Sequence, residues 1–146
     1  MAWCSGALST SLMQLQAAVA LGSITDSVRS RLLACAEVRV DSFPTDDAAL
    51  CHGSLGHAYM FHRGWLATGE AKLRDAANQW TAYALAQRSA DPSLPGFVRV
   101  KSGKALNHGF TEGKVGIALA LLTLAGVISP TWDGLLGFSV PLPRRN

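Results

Sequence analysis

Cys4, Cys51 and His52 are the residues of this 146-residue chain best suited to hold a metal ion. Two thiolates and an imidazole are good zinc donors. Three protein donors leave a fourth coordination place for water or substrate, the usual plan of a catalytic zinc. A thiol entering that place would lose its proton to the metal's charge and become a nucleophile near neutral pH. A site with two anionic sulfurs is already electron-rich, which suits sulfur transfer better than water activation. The long separation of Cys4 from Cys51 matches no short zinc-finger spacing. On spacing alone a second reading stays open: two buried small residues and a histidine that caps a helix.

Other residues that could do chemistry are weaker candidates. His57 and His62 follow the Cys-His pair and stand five apart, so they share a helix face poorly and do not suggest a second metal site. As a group that titrates near neutral pH, His57 is a candidate acid, and so is His108, which lies just before a glycine-led segment; the plainer reading of His57 is an exposed or hydrogen-bonded helix histidine. Glu112 stands directly before Gly113, as His52 stands before Gly53. It could hydrogen-bond to a metal ligand or stabilise a helix start by its charge. Cys35 reads as a buried free thiol, and Trp65, Trp80 and Tyr83 as packing residues. The Asp46–Asp47 pair is expected to be solvated.

The elements that must position these residues show in a threefold local pattern. Trp3-Cys4-Ser5-Gly6, Leu50-Cys51-His52-Gly53 and Phe110-Thr111-Glu112-Gly113 each end on a glycine. An apolar residue follows two positions later, a small residue three positions later, and then an apolar helical run. Gly6 and Gly53 are 47 positions apart, and Gly53 and Gly113 are 60 apart. Repeats of this length signal stacked helical units. Between them lie more polar amphipathic stretches, Ile24–Val40 with Thr25 or Ser23 as N-cap, and Glu70–Arg88. The pattern predicts an all-α chain in which small-residue inner helices alternate with polar outer ones. The Asp41–Leu50 and Asp91–Phe110 stretches read as loops, with a short strand at Phe97–Val100. Cys4 and Cys51 hold the same place in their repeats, two before glycine. If the repeats are neighbours, the two thiols point to a common place.

Composition narrows the function further. At 49% hydrophobic and 16% charged the chain can build a core. Its net charge of +3 is scattered, with only the short Arg144–Arg145 pair near the end, which argues against nucleic acid as a partner. The apolar run Val115–Ile128 covers 14 residues, short of the roughly 20 needed for a membrane span, and is read as a buried helix. The N-terminus has no signal-peptide pattern. An odd count of three cysteines fits a reducing cytoplasm better than a disulfide framework.

Trp3-Cys4-Ser5-Gly6 resembles the Trp-Cys-Tyr-Gly motif of lanthionine synthetase C-like (LanC-type) cyclases. Leu50-Cys51-His52-Gly53 with Gly56 resembles their Cys-His-Gly motif, at about the family's separation. Phe110–Leu122 is similar to their last glycine-led inner helix, and Trp132–Phe138 to their terminal segment. The resemblance implies a partial α/α toroid, with residues 1–146 as the C-terminal portion of the domain. It implies Zn2+ on Cys4, Cys51 and His52. It also implies thioether formation: a cysteine of a dehydrated precursor peptide adds to dehydroalanine or dehydrobutyrine, and an acid then protonates the enolate. Partners implied are that peptide, a dehydratase, and a second cyclase chain or a second copy. Two departures go with this. Ser5 stands where the family has tyrosine, and the family's upstream arginine, histidine and aspartate have no counterpart in the chain. The alternative expectation is a non-catalytic LanC-like zinc-binding interaction module, or a truncated remnant that needs a partner chain.

Overall fold

The computed structural model describes residues 2–42, 45, 47–89, 96–97 and 108–137. Helix α1 spans Ala7–Ala20, α2 Asp26–Ala36, α3 Ser54–Thr68, α4 Ala71–Ala86 and α5 Lys114–Leu124. Short 3-10 segments cover Val40–Ser42 and Pro130–Leu136. The chain is all-α apart from one small antiparallel pair, β1 (Arg88–Ser89) with β2 (Gly96–Phe97), in which Arg88 faces Phe97.

The polar helices are shorter than their sequence pattern suggests. Thr25 caps α2, its hydroxyl accepting from the Val28 amide at 3.4 Å. The helix stops at Ala36; residues 37–39 are non-helical, and Val40 opens a separate 3-10 segment. Helix α4 stops at Ala86, and Arg88 enters the strand pair instead of continuing the helix. Its buried residues Leu73, Ala76, Ala77, Trp80 and Ala84 recur at helical spacing and form one inward stripe. The strand expected at Phe97–Val100 is seen at Phe97; residues 98–100 lie outside the described residues, as do Asp46, Phe138 and the Arg144–Arg145 pair.

Helix α3 is the centre of the packing. Every residue from Ser54 to Phe61 is buried, because α1, α2, α4 and α5 all pack on it. Helices α1, α3 and α5 meet through α3, while α2 lies on α1, α4 on α3, and α2 and α4 on each other. The alternation of glycine-led and polar helices is therefore a two-layer arrangement. Leu8, Leu12 and Leu15 of α1 bring one apolar stripe into the shared core with Tyr59, Phe61, Leu73 and Trp80. Helix α5 departs from expectation. It buries Gly116, Ile117, Ala120 and Thr123, but Val115 is 49% and Leu122 40% exposed. With apolar residues all around a 3.6-residue turn, the face directed away from α3 is apolar as well, and burial is one-sided. Among the described residues no helix is long and apolar enough to cross a membrane.

The repeat glycines stand where the pattern puts them. Gly6, Gly53 and Gly113 are the N-caps of α1, α3 and α5. The small residue three positions later has its own reason. A Cβ on Gly56 would run into the Leu50 carbonyl oxygen, and one on Gly116 into the Phe110 carbonyl oxygen. The loops before α3 and α5 fold back over the first turn of their helices, and at Gly56 and Gly116 only a residue without a side chain admits that approach.

Candidate metal centre

Three loops, each preceding a glycine-led helix, meet at one end of the helix layer. Two backbone hydrogen bonds join them across the sequence. The Trp3 amide donates to the Cys51 carbonyl at 2.7 Å, and the Cys51 amide donates to the Thr111 carbonyl at 3.0 Å. The loop before Cys51 is held from below. Asp47 is buried; its carboxylate accepts from the Ala49 amide at 2.9 Å, and its carbonyl accepts from the Ser54 amide at 3.0 Å. The expected solvated role for Asp47 is thus replaced by a structural one, since the turn needs an acceptor for its inward amides.

The loops bring Cys4, Cys51 and His52 together. Their donor atoms all lie within 4.8 Å of one another. His52 Nε2 is 3.2 Å from Cys4 Sγ and 3.8 Å from Cys51 Sγ. Tetrahedral zinc with bonds of about 2.3 Å to sulfur and about 2.0 Å to nitrogen would separate sulfur from nitrogen by about 3.5 Å. The residues fit one such ion with little movement. The other ring nitrogen, Nδ1, lies 3.2 Å from Glu112 Oε1. Cys4 and His52 are exposed and Cys51 is half-buried, so the cluster opens to solvent on one side.

Electrostatics favours a cation in the same place. The Cys51 thiol is pushed up to about 12, first by burial and then by the neighbouring Cys4 and Glu112. Two thiolates and a carboxylate side by side are unfavourable without positive charge, and a divalent cation reverses that balance.

A column of aromatic rings lies under the loops. Trp3 stacks on Tyr59 at 5.9 Å between centroids, Tyr59 lies tilted against Trp132 at 4.6 Å, and Trp132 meets Phe110 edge-on at 5.8 Å. Trp3 adjoins Cys4, and Phe110 lies two residues before Glu112, so the column supports two of the three loops directly. The terminal 3-10 segment is fixed by Asp133. Its carboxylate accepts from the Tyr59 hydroxyl at 2.9 Å and pairs with Arg63 Nε at 2.7 Å, with Arg63 3% and Asp133 1% exposed. Burial and then the Asp133 charge hold the Tyr59 hydroxyl protonated far above its usual range.

The family model for lanthionine synthetase C-like proteins matches residues 1–136. The chain belongs to the lanthionine synthetase C-like family. No curated protein and no solved structure gives a significant match. In this LanC-like chain the Cys-Ser-Gly and Cys-His-Gly motifs are the two loops whose thiols converge. Ser5, in the position of the family's tyrosine, keeps its hydroxyl 4.0 Å from Cys4 Sγ.

The histidines separate from one another. His57 is 1% exposed and lies edge-on to Trp80 at 4.5 Å, within the core. His62 stands edge-on to Trp65 at 5.4 Å. His108 is exposed and is not among the residues whose donor atoms converge. Cys35 is buried and free, and Trp80 and Tyr83 pack on each other at 6.0 Å, as their positions on amphipathic helices imply. Sequence reasoning missed the Arg63–Asp133–Tyr59 network. Its signal was present: one cation and one anion, each set in an otherwise apolar segment.

Proposed function

We propose that this chain carries the zinc site of a thioether-forming cyclase, acting on a dehydrated, ribosomally made peptide, within the C-terminal part of a LanC-like toroid. The convergence of Cys4, Cys51 and His52 donor atoms within 4.8 Å carries the reading. Zinc held there supplies Lewis acidity to an incoming cysteine thiol and lowers its pKa. The three ligands occupy one side, and the exposure of Cys4 and His52 leaves the other side for the peptide. In the reaction the thiol sulfur bonds to the β-carbon of dehydroalanine or dehydrobutyrine, and a proton is added at the α-carbon, so the thiol adds across the double bond without a leaving group. His108 and His57 are the weak candidates for that proton donor; the exposure of His108 favours it over His57, which is buried against Trp80. A cytoplasmic location, a dehydratase and a second cyclase chain or copy belong to the same proposal.

The test has two readouts. Purified chain is expected to hold one zinc per molecule, lost in Cys51→Ala. A dehydrated precursor peptide is expected to lose free thiols on incubation with the zinc-loaded chain, with a second cyclase chain present. Zinc-free but folded protein would sink the site. A specific observation favours a second reading, a non-catalytic zinc-binding interaction module: a serine occupies the position of the family's tyrosine. Bound zinc with unchanged peptide thiols would select it.

A further inference from the structure

Building on the zinc site proposed above, we propose that Glu112 is a positioning residue: it fixes the His52 ring so that Nε2 faces the two thiols. The geometry addresses each ring nitrogen from a different repeat. Cys4 of the first repeat lies 3.2 Å from Nε2, and Glu112 of the third lies 3.2 Å from Nδ1. A neutral imidazole carries one proton, and a carboxylate acceptor at Nδ1 draws it there. The lone pair is then on Nε2, on the side of Cys4 and Cys51. His52 needs such help because its side chain is 54% exposed, and an exposed ring has several rotamers to lose on binding a metal. Glu112 is the better-held partner at 26% exposed. Its loop is anchored by the Cys51 amide on the Thr111 carbonyl, by the Phe110 carbonyl seated over Gly116, and by Phe110 against Trp132. Hydrogen bonding of the distal ring nitrogen to a carboxylate orients metal-binding histidines and raises their basicity.

The competing role for Glu112 is helix-start charge stabilisation, one residue before the Gly113 cap of α5. That role predicts a change in thermal stability alone. The deciding experiment uses the full chain with 15N-labelled histidine. Long-range 15N–1H spectra read the His52 tautomer in the metal-free state, and competition with a chelator reads zinc affinity. Wild type is expected to carry its proton on Nδ1, without zinc and with it. Glu112→Ala is expected to shift His52 toward the Nε2–H tautomer and weaken zinc binding by about 10–100-fold. Glu112→Gln, whose amide oxygen still accepts from Nδ1, is expected to lie between the two. A wild-type proton on Nε2 overturns the proposal and needs no variant. So does a Glu112→Ala protein with unchanged tautomer and zinc affinity within about twofold, for which the 10–100-fold range leaves no room. Wild type that binds no zinc, or Cys51→Ala that binds it equally well, overturns the metal reading itself and the Glu112 role with it.

Discussion

At the scale of residues, Cys4, Cys51 and His52 bring their donor atoms within 4.8 Å of one another. Cys4 and Cys51 share a repeat position, so their meeting follows once the two repeats are neighbours, as α1 and α3 are. The hydrogen bond from His52 to Glu112 was legible only as one of two options, because a residue before a helix glycine serves capping and ligand support equally well. Asp47 was misjudged, since sequence gives no sign that a loop aspartate turns inward to accept from the Ala49 amide. His62 carries a pH prediction. Burial first, and the Arg63 charge second, lower its pKa from 6.5. The folded chain therefore resists a proton that the unfolded chain accepts, and the stability this contributes is full above the unfolded pKa and falls as pH drops through it. The unfolding midpoint is expected to fall between about pH 7.5 and about pH 5.5, across the ordinary histidine range. His62→Gln should reduce that fall in parallel thermal scans; an equal fall in both proteins would assign it elsewhere.

At the scale of elements, the ligand loops depend on how closely they lie over their helices. Gly56→Ala places a methyl group against the Leu50 carbonyl. It is expected to cost about 1–3 kcal/mol in chemical denaturation, the range for overpacking, and to weaken zinc binding because Cys51 moves with Leu50. The terminal segment depends on one buried charge pair. Asp133→Ala leaves Arg63 buried beside Tyr59 without its carboxylate, and a loss of about 3–5 kcal/mol is expected. A loss under about 1 kcal/mol, the scale of an exposed pair, would show that the pair is hydrated. Helix positions were readable from periodicity, but their ends were not. The apolar pattern of Ile24–Val40 runs past Ala36, where α2 closes, because Val40 still packs against the core from the segment after the turn. The uniform apolarity of α5 likewise hid which face packs, since periodicity identifies a face only where polar residues mark the other one.

At the scale of the whole molecule, the candidate ion would join two loops whose cysteines, Cys4 and Cys51, lie 47 positions apart. Binding to the folded state alone stabilises it by about 2.7 kcal/mol when free zinc is 100 times its dissociation constant. Zinc is expected to raise the unfolding midpoint, chelation to reverse the rise, and Cys51→Ala to abolish it in calorimetry. The repeat made an array of helix pairs legible, while the aromatic column and the Asp133 network required the folded coordinates, since their directly touching members lie up to 74 positions apart. The two amide bonds that stitch the loops, Trp3 to Cys51 and Cys51 to Thr111, give the molecule a built-in clock. The Trp3 proton exchanges with deuterium when the first and second loops part, and the Cys51 proton when the second and third part. The exchange of those two amides thus times the two seams separately, and an ion held by Cys4, Cys51 and His52, which spans only the first seam, is expected to slow the Trp3 amide more than the Cys51 amide.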